Sequence, residues 1–391
     1  MWCSMAAVVG AMLLGDAGGS PVIRADDFEA WFRSAAGGGL EVPAAVAERA
    51  RSFRYVFVEG FRNERMPGYF SQNIAELKAH GVLKGAIAVI EPSSGRSMED
   101  NAVAVRARFL EIAGSGPEKL VIIAHSRGAC DTLAFALGNA PFVRDRVEAL
   151  FLIQGPFGGS GVAEYVIGRG TPMDRRMPLG PRILGHLAGR LTRAVAGVTG
   201  LEILGEMTRE ASRAFWILAI EEHADAIAAV GPRTFYIRSE IKPARLRFVR
   251  RAIATYLQTY HGASDGMVAL EDQALADLGT VIGTFEAGHS DLTHRFPASK
   301  APRKLRKALI RSILMAVGRA DPVPTARGEL PAPIGPGRDV APEVRPSEPI
   351  RGRQADRAGT SGRRQRRRPR GRWRSGCRPC PRSPRHSRRP G

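Results

Sequence analysis

Short apolar segments alternate with amphipathic segments along the first part of the chain. Four of the apolar segments, at 54–60, 85–92, 118–125 and 147–155, are rich in Val, Ile, Leu and Phe. A continuous apolar run indicates a strand that is covered on both faces, as in a parallel sheet. The segments between them have helical spacing. The alternation therefore predicts an α/β fold built on a doubly wound, mostly parallel sheet.

Later segments extend this pattern. Residues 233–240 and 280–287 are predicted as two further strands, and 303–318 as a closing amphipathic helix. In an earlier helix, "MEDNAVAVRARFLEIAG", the spacing predicts one buried face, formed by Val103, Ala107, Leu110 and Ala113.

Residues 158–230 interrupt the alternation and contain no convincing strand. Two stretches within them, 181–200 and 209–230, have apolar positions at helical spacing. They predict a helical insertion between two strands of the sheet. Two interpretations are open: a packed helical layer, or a lid over a site with apolar faces that meet lipid when it opens.

The positive charge is concentrated at the C-terminal end. Residues 351–391 contain sixteen Arg and one Asp, which is +15 of the formal net charge of +20. Residues 321–350 contain eight prolines, and no Leu, Ile, Val or Phe follows Ile350. Such a segment buries too little apolar surface to fold, so 319–391 is predicted to be a Pro-rich linker and a disordered Arg-rich tail. The tail either keeps the protein soluble or makes a weak contact with anionic membrane or nucleic acid.

Residues 1–25 are predicted to be signal-like or disordered, before a folded domain at 26–318. The run "MAAVVGAMLLG" has the length of a signal-peptide core, but no Lys or Arg precedes it. A cytoplasmic location is thus slightly favoured over secretion. Only Cys130 of the four cysteines lies inside the predicted domain, so there is no disulfide framework. The sequence predicts no cofactor.

A serine stands where the third predicted strand passes into a helix, in "AHSRG". A nucleophilic serine on such a sharp turn requires small residues two positions before and after it, since larger side chains would collide with the neighbouring elements. Ala124 and Gly128 meet this requirement. The alternative is an inactive fold in which Ser126 only caps a helix.

A serine nucleophile needs a histidine base held by a carboxylate. His289 follows the last predicted strand, where a loop brings it to the same edge of the sheet as Ser126. Asp265 lies in a glycine-flanked loop, and Glu240, directly after a strand, is the rival acid. We favour Asp265 because of its loop position and the chain order Ser, acid, His.

Two residues near the serine in the sequence have no predicted role in this chemistry. The side chain of His125 is expected to point to the far side of the turn. Asp131, inside the following helix, is expected on the surface.

These segments resemble the α/β-hydrolase superfamily, and within it the lid-bearing bacterial lipases and esterases. The resemblance covers residues 53–317 with gaps and is carried by "YVFVEGFRNERMPGYFSQNIAELKAHG", "VIIAHSRGA", "LFLIQGPFGGSGVAEYV", "SDGMV" and "GHSDL". It implies that Ser126 is the nucleophile, Asp265 the acid and His289 the base. It also implies an oxyanion hole made by the backbone N–H groups of Phe61 and Arg127.

The sequence departs from this family at two places. Glu59 stands where the family has a histidine, which would add negative charge near a developing oxyanion. Asp291 matches a carboxylate that holds calcium in some of these lipases, but "IKPARLRF" lacks the second acidic residue. Asp291 is thus only a weak calcium candidate, and no metal is predicted.

The predicted function is a serine carboxylic-ester hydrolase that acts through an acyl-enzyme on an apolar acyl ester, from a small molecule or a lipid. Two alternatives stay open. One is an acyltransferase on the same fold. The other is a non-catalytic protein with the hydrolase fold whose basic tail binds nucleic acid or anionic membrane.

Overall fold

A six-stranded sheet forms the centre of the part of the chain that the structure describes. This computed structural model describes residues 22–61, 63–167, 201–294 and 303–319. The predicted signal-like segment, up to residue 21, and the predicted linker and tail, from residue 320, lie outside these ranges. All described residues fall within one unit of the chain.

The strands agree closely with the apolar segments. They are β1 (Arg54–Val58), β2 (Ile87–Ile90), β3 (Leu120–His125), β4 (Val147–Ile153), β5 (Thr234–Glu240) and β6 (Thr280–Glu286). Their order in the sheet is β2-β1-β3-β4-β5-β6, and each neighbouring pair is parallel. The predicted α/β fold with a parallel sheet is confirmed.

Helices cover both faces of this sheet. They are α1 (Ala25–Gly37), α2 (Ala44–Ala50), α3 (Ser71–Ala79), α4 (Met98–Gly114), α5 (Arg127–Leu137), α6 (Ala140–Arg146), α7 (Gly161–Val166), α8 (Leu201–Glu206), α9 (Arg209–Glu222), α10 (Ile227–Val230), α11 (Phe248–His261) and α12 (Arg303–Arg319). Among the described residues, no helix is both long enough and apolar enough to cross a bilayer.

The alternation of side chains along the strands produces two apolar layers. On one face, Tyr55 and Phe57 of β1 pack with residues of α1, α3 and α12. On the other face, Val56 and Val58 pack with residues of α4 and α5. Burial of both faces explains why the strands are apolar throughout.

The predicted insertion between β4 and β5 is helical where it is described. It contains α7 to α10, and no strand occurs in 158–167 or 201–230. Residues 168–200, which include much of the predicted lid, lie outside the described residues. The role of the insertion as a lid therefore stays a prediction.

The predicted buried face of α4 is wrong for Val103, Ala107 and Leu110, which are exposed, and right only for Ala113, which is buried. Val103 is 70% exposed and Leu110 is 44% exposed, whereas Val105 and Phe109 are buried. The buried stripe includes Asn101, whose Nδ2 donates to Asp131 Oδ2 at 3.2 Å and to the Ser93 carbonyl at 3.0 Å. Apolar residues occur on both sides of this helix, and the side with Met98, Val105, Phe109 and Ile112 is the one that packs in the core.

Candidate active site

Ser126 occupies a strained turn between β3 and α5. Its backbone has φ 55° and ψ −132°, in the positive-φ region that costs energy for residues other than glycine. The Ser126 N–H donates to the Ile153 carbonyl, and the Ser126 carbonyl accepts from the Ala129 N–H, both at 2.9 Å. The end of β4 and the first turn of α5 thus hold the serine in this conformation.

Two glycines make room for this turn. A Cβ atom on Gly128 would lie 2.2 Å from the Glu59 carbonyl oxygen, which is backbone and has little freedom to move. A Cβ atom on Gly60 would lie 2.9 Å from the Cβ of Ser126. The loop after β1 can approach the serine only because both positions lack a side chain.

A chain of hydrogen bonds joins Ser126, His289 and Asp265. The distance from Ser126 Oγ to His289 Nε2 is 2.9 Å, and from His289 Nδ1 to Asp265 Oδ2 it is 2.7 Å. An ionised carboxylate only accepts hydrogen bonds, so Nδ1 carries the proton of a neutral imidazole and Nε2 accepts from the serine hydroxyl. This is the arrangement in which a histidine can take the proton from a serine.

The carboxylate of Asp265 is fixed by its own loop. Its Oδ1 accepts the backbone N–H groups of Met267 and Val268, at 2.9 and 2.8 Å. The Asp265 carbonyl accepts the His289 N–H at 2.9 Å, and the Asp265 residue is fully buried. The acid loop and the histidine loop are therefore tied together by backbone as well as by side chains.

The rival acid lies elsewhere. Glu240 is exposed at the end of β5, and its carbonyl accepts the Ala287 N–H at 3.0 Å. The structure brings Asp265, and not Glu240, into contact with the imidazole of His289.

His125 does not point away from the site, so that prediction is wrong. Its Nε2 lies 2.7 Å from the His289 carbonyl oxygen and 3.1 Å from Gln154 Oε1. Burial lowers the pKa of His125 to about 3, so the ring is neutral at physiological pH. Because both partners of Nε2 are acceptors, Nε2 carries the proton, and Nδ1 accepts the hydroxyl proton of Tyr69.

Tyr69 continues this second chain of hydrogen bonds. Its oxygen accepts the Gly60 N–H at 3.3 Å. A series of three hydrogen bonds thus connects the loop after β1 to the loop after β6. It runs from Gly60 through Tyr69 and His125 to the backbone of His289. Sequence spacing gave no signal for this connection, since its members lie far apart along the chain.

Of the two residues predicted for the oxyanion hole, Arg127 directly follows the serine, and Phe61 follows Gly60, which lies beside it. Arg127 is the first residue of α5, where the N–H has no acceptor within the helix. The N-terminus of α5 also favours negative charge. The guanidinium of Arg127 forms ion pairs with two carboxylates, at 3.8 Å from Asp131 and 3.6 Å from Glu206.

Asp131 is buried, so its predicted surface position is wrong. Burial raises its pKa to about 7, against the opposing effect of the Arg127 charge. The cause lies in the packing of α4 on α5, which covers this side chain.

Glu59, the residue that departs from the family pattern, is buried as well. Burial raises its pKa to about 7, and the charges of Glu91 and Glu64 act in the same direction. Below that pH the Glu59 carboxyl is mostly neutral, which removes the negative charge expected beside the oxyanion loop.

The carboxylate of Asp291, the weak calcium candidate, is bonded within its own loop. Its Oδ2 accepts the Gly288 N–H at 2.9 Å. A Cβ atom on Gly288 would lie 3.1 Å from Asp291 Oδ2 and 3.2 Å from Arg250 Nη2, so a guanidinium is close to this carboxylate. Within the described ranges, no group of three or more His, Cys, Asp or Glu side chains is arranged to hold a metal ion.

No protein-family model and no curated protein matches this chain. Among solved structures, it is similar to a metagenomic carboxyl esterase, with 18% identity, coverage of 68% of this chain and 76% of that chain, and a TM-score of 0.48. A mature Bacillus licheniformis lipase gives 16% identity, 67% and 88% coverage, and a TM-score of 0.44. A thioesterase from Streptomyces coelicolor gives 15% identity, 68% and 90% coverage, and a TM-score of 0.31.

The fold is assigned from the architecture of this chain itself. Its parallel strands have the order β2-β1-β3-β4-β5-β6, and the positive-φ serine lies in the turn from β3 to α5, at the carboxyl edge of the sheet. With the helices on both faces, these features give the chain the α/β-hydrolase fold.

Proposed function

We propose that this protein is a serine hydrolase that cleaves carboxylic esters through an acyl-enzyme. The observation that carries the proposal is the continuous hydrogen-bond chain from Ser126 Oγ through His289 to Asp265. The positive φ of Ser126 adds to it, because strain of this kind is typical of a nucleophile presented on a sharp turn.

Each residue has a defined role in the proposed reaction. Ser126 Oγ attacks the ester carbonyl carbon while His289 Nε2 takes the hydroxyl proton. Asp265 keeps the imidazole oriented and stabilises the imidazolium that forms. His289 then donates the proton to the departing alcohol oxygen, which leaves an ester between Ser126 and the acyl group.

The second half of the reaction repeats these steps with water. His289 takes a proton from the water molecule that attacks the acyl-enzyme, and returns it to Ser126 Oγ when the acid leaves. In both halves the backbone N–H groups of Phe61 and Arg127 are the proposed donors to the oxyanion. Each such donor contributes about 3 kcal/mol to stabilisation of the transition state.

The proposed substrate carries an apolar acyl chain. The support is the apolar composition of the helical insertion between β4 and β5, which follows the strand next to the nucleophile strand. A site lined by such helices would desolvate a hydrocarbon chain favourably and a charged group poorly.

A series of p-nitrophenyl esters of increasing acyl length tests the activity and the substrate class together. We expect turnover by the wild-type protein and its loss in Ser126→Ala, with a fluorophosphonate probe labelling only the former. The control is Ser52→Ala, at an exposed serine that bonds to a backbone carbonyl. Equal turnover of every ester by Ser126→Ala and wild type would disprove the assignment.

A further inference from the structure

Residues 241–251, which we call the basic segment, carry a dense positive charge on the folded domain. Five cations lie in it, and no Asp or Glu occurs between Glu240 and Asp265; the five are Lys242, Arg245, Arg247, Arg250 and Arg251. All of them except Arg250 are exposed, and Arg245 is paired with Glu286 at 3.0 Å. The segment joins β5 to the first turn of α11. Its charge is separate from that of the C-terminal tail.

Apolar side chains project from the same segment. Phe248 is 78% exposed and Val249 is 39% exposed at the start of α11. Phe248 also has a backbone φ of 46°, an unfavourable conformation for an aromatic residue. Among the described residues, Phe248 is the most exposed aromatic side chain. Arginines lie on both sides of it along the chain.

The basic segment packs against both loops of the candidate active site. The Ile241 N–H donates to the carbonyl of Ser264, the residue before Asp265, at 2.8 Å. A Cβ atom on Gly266 would lie 3.3 Å from Leu246 Cδ1. At the other loop, a Cβ atom on Gly288, the residue before His289, would lie 3.2 Å from Arg250 Nη2.

The acid loop adds a third apolar side chain. Met267, two residues after Asp265, is 39% exposed. Its neighbour Gly266 lies beside Leu246 of the basic segment, so the acid loop and the basic segment are adjacent.

We infer that the basic segment, with Phe248 and Val249, is a docking surface for an anionic lipid membrane. Cations attract acidic headgroups, and apolar side chains between them enter the boundary of the hydrocarbon region. Docking through this surface places the loops of Asp265 and His289 next to the lipid. Binding itself does not depend on ester hydrolysis.

A lipid surface explains more of this segment than a nucleic acid does. Phosphates of either partner would attract the arginines, but strand binding relies on aromatic platforms for the bases. Here the other exposed apolar side chains of the segment and of the adjoining acid loop, Val249 and Met267, are aliphatic or thioether and suit acyl chains.

The charge is tested with the full-length protein carrying Ser126→Ala, so that no turnover occurs. Partitioning is measured onto vesicles of phosphatidylglycerol and phosphatidylcholine in equal parts. We expect Arg247→Gln/Arg251→Gln to lower the partition coefficient about 25-fold, since each cation near an anionic surface contributes about five-fold. The control, Arg106→Gln/Arg108→Gln, removes the same charge from the exposed side of α4.

The apolar contribution is tested in the same way. Phe248→Ser/Val249→Ser is expected to lower partitioning about ten-fold, from the loss of buried apolar surface. Its control is Ile217→Ser/Leu218→Ser on α9, where the two residues are 59% and 64% exposed. As an independent readout, Phe248→Trp should give a blue-shifted fluorescence difference spectrum on anionic vesicles, and Leu218→Trp should not.

Three outcomes would overturn the inference. One is unchanged partitioning in both variants of the basic segment, which would assign binding to the tail alone. The second is an equal loss in the controls. The third is tighter binding to single-stranded DNA than to anionic vesicles, with a loss in the Arg247→Gln/Arg251→Gln variant on DNA only.

Discussion

His125 donates its Nε2–H to the carbonyl oxygen of His289 across 2.7 Å, although the two residues are 164 positions apart. The other ring nitrogen of His125 accepts from Tyr69, whose oxygen in turn accepts the Gly60 N–H. One buried imidazole therefore connects the loop of the proposed oxyanion donor to the loop of the proposed base. The two loops are held in a fixed relation to each other and to Ser126.

This relation makes Tyr69 a positioning residue. Tyr69→Phe removes the hydrogen bonds to Gly60 and His125 without changing the ring, so both loops lose a constraint. We expect kcat for ester hydrolysis to fall about ten- to hundred-fold, as for small misplacements of reacting groups, with little change in KM. Steady-state kinetics on one p-nitrophenyl ester measures the two constants.

Tyr55→Phe is the matched control. Tyr55 is also fully buried, and its hydroxyl donates to the Ala50 carbonyl at 2.8 Å, in a layer formed with α1, α3 and α12. Both variants lose a buried hydrogen bond, but only Tyr69→Phe touches the site. Equal kcat in the two variants would mean that Tyr69 is structural only.

The identity of the acid gives a second prediction. Asp265→Asn keeps the shape of the side chain but no longer favours a proton on Nδ1 of His289. We expect kcat to fall about 10⁴-fold, the size of effect known for an orienting carboxylate in such a triad. Glu240→Gln, at an exposed position without contact to the imidazole, should leave kcat unchanged. The assignment is wrong if Glu240→Gln shows the larger loss.

The close approach at Gly128 predicts a loss of stability. In Gly128→Ala, the new Cβ atom would lie 2.2 Å from the Glu59 carbonyl oxygen, so the backbone must shift. We expect the free energy of unfolding to fall by about 3 kcal/mol, at the upper end for inserting a methyl group into a packed site. Urea denaturation followed by circular dichroism measures this change.

Gly114→Ala serves as its control. No neighbouring atom lies within 4 Å of a Cβ atom at Gly114, at the end of α4. This substitution should leave the free energy of unfolding unchanged or raise it by less than about 1 kcal/mol. A loss as large as in Gly128→Ala would show that the turn is not the cause.

The raised pKa of Glu59 predicts how stability depends on pH. Its pKa is about 7 in the folded protein and near 4.5 when unfolded. Between these values the folded state binds more protons than the unfolded state, so the free energy of unfolding decreases as pH rises. The destabilisation is absent below the lower value and complete above the upper one.

Glu59→Gln removes this proton linkage. We expect the variant to be more stable than wild type by about 1–3 kcal/mol at pH 8, with a much smaller difference at pH 5. Urea denaturation at a series of pH values tests it, with Glu221→Gln at an exposed site as the reference. A difference that is constant over this range would contradict a buried, protonated Glu59.

Much of the fold could be predicted from the chain because strands and helices leave local signals. Apolar runs bounded by Gly or Pro predicted the strands of the sheet to within a few residues. The contact between Ser126, His289 and Asp265 also agrees with expectation, since the carboxyl ends of parallel strands meet at one edge. Their catalytic roles stay a proposal until the variants are assayed.

The errors share one physical cause. Contacts between distant elements decide all three features that were predicted wrongly. These are the buried side of α4, the direction of the His125 side chain and the burial of Asp131. Asn101 lies in the buried stripe of α4, where Asp131 and the Ser93 carbonyl accept its protons. Apolar residues at helical spacing occur on both sides of α4, so periodicity alone does not select the buried face.

The amino-acid sequence by itself determined the succession of strands and helices along the chain. It also placed small residues around Ser126 and put its partners in positions that follow strands. These follow from local propensity and from patterning over a few turns. Only the tertiary structure decided that Asp265 and not Glu240 reaches His289, that His125 joins two loops, and that Phe248 stands exposed among arginines. Hydrogen bonds and burial between segments far apart in the chain set these relations, and no local pattern encodes them.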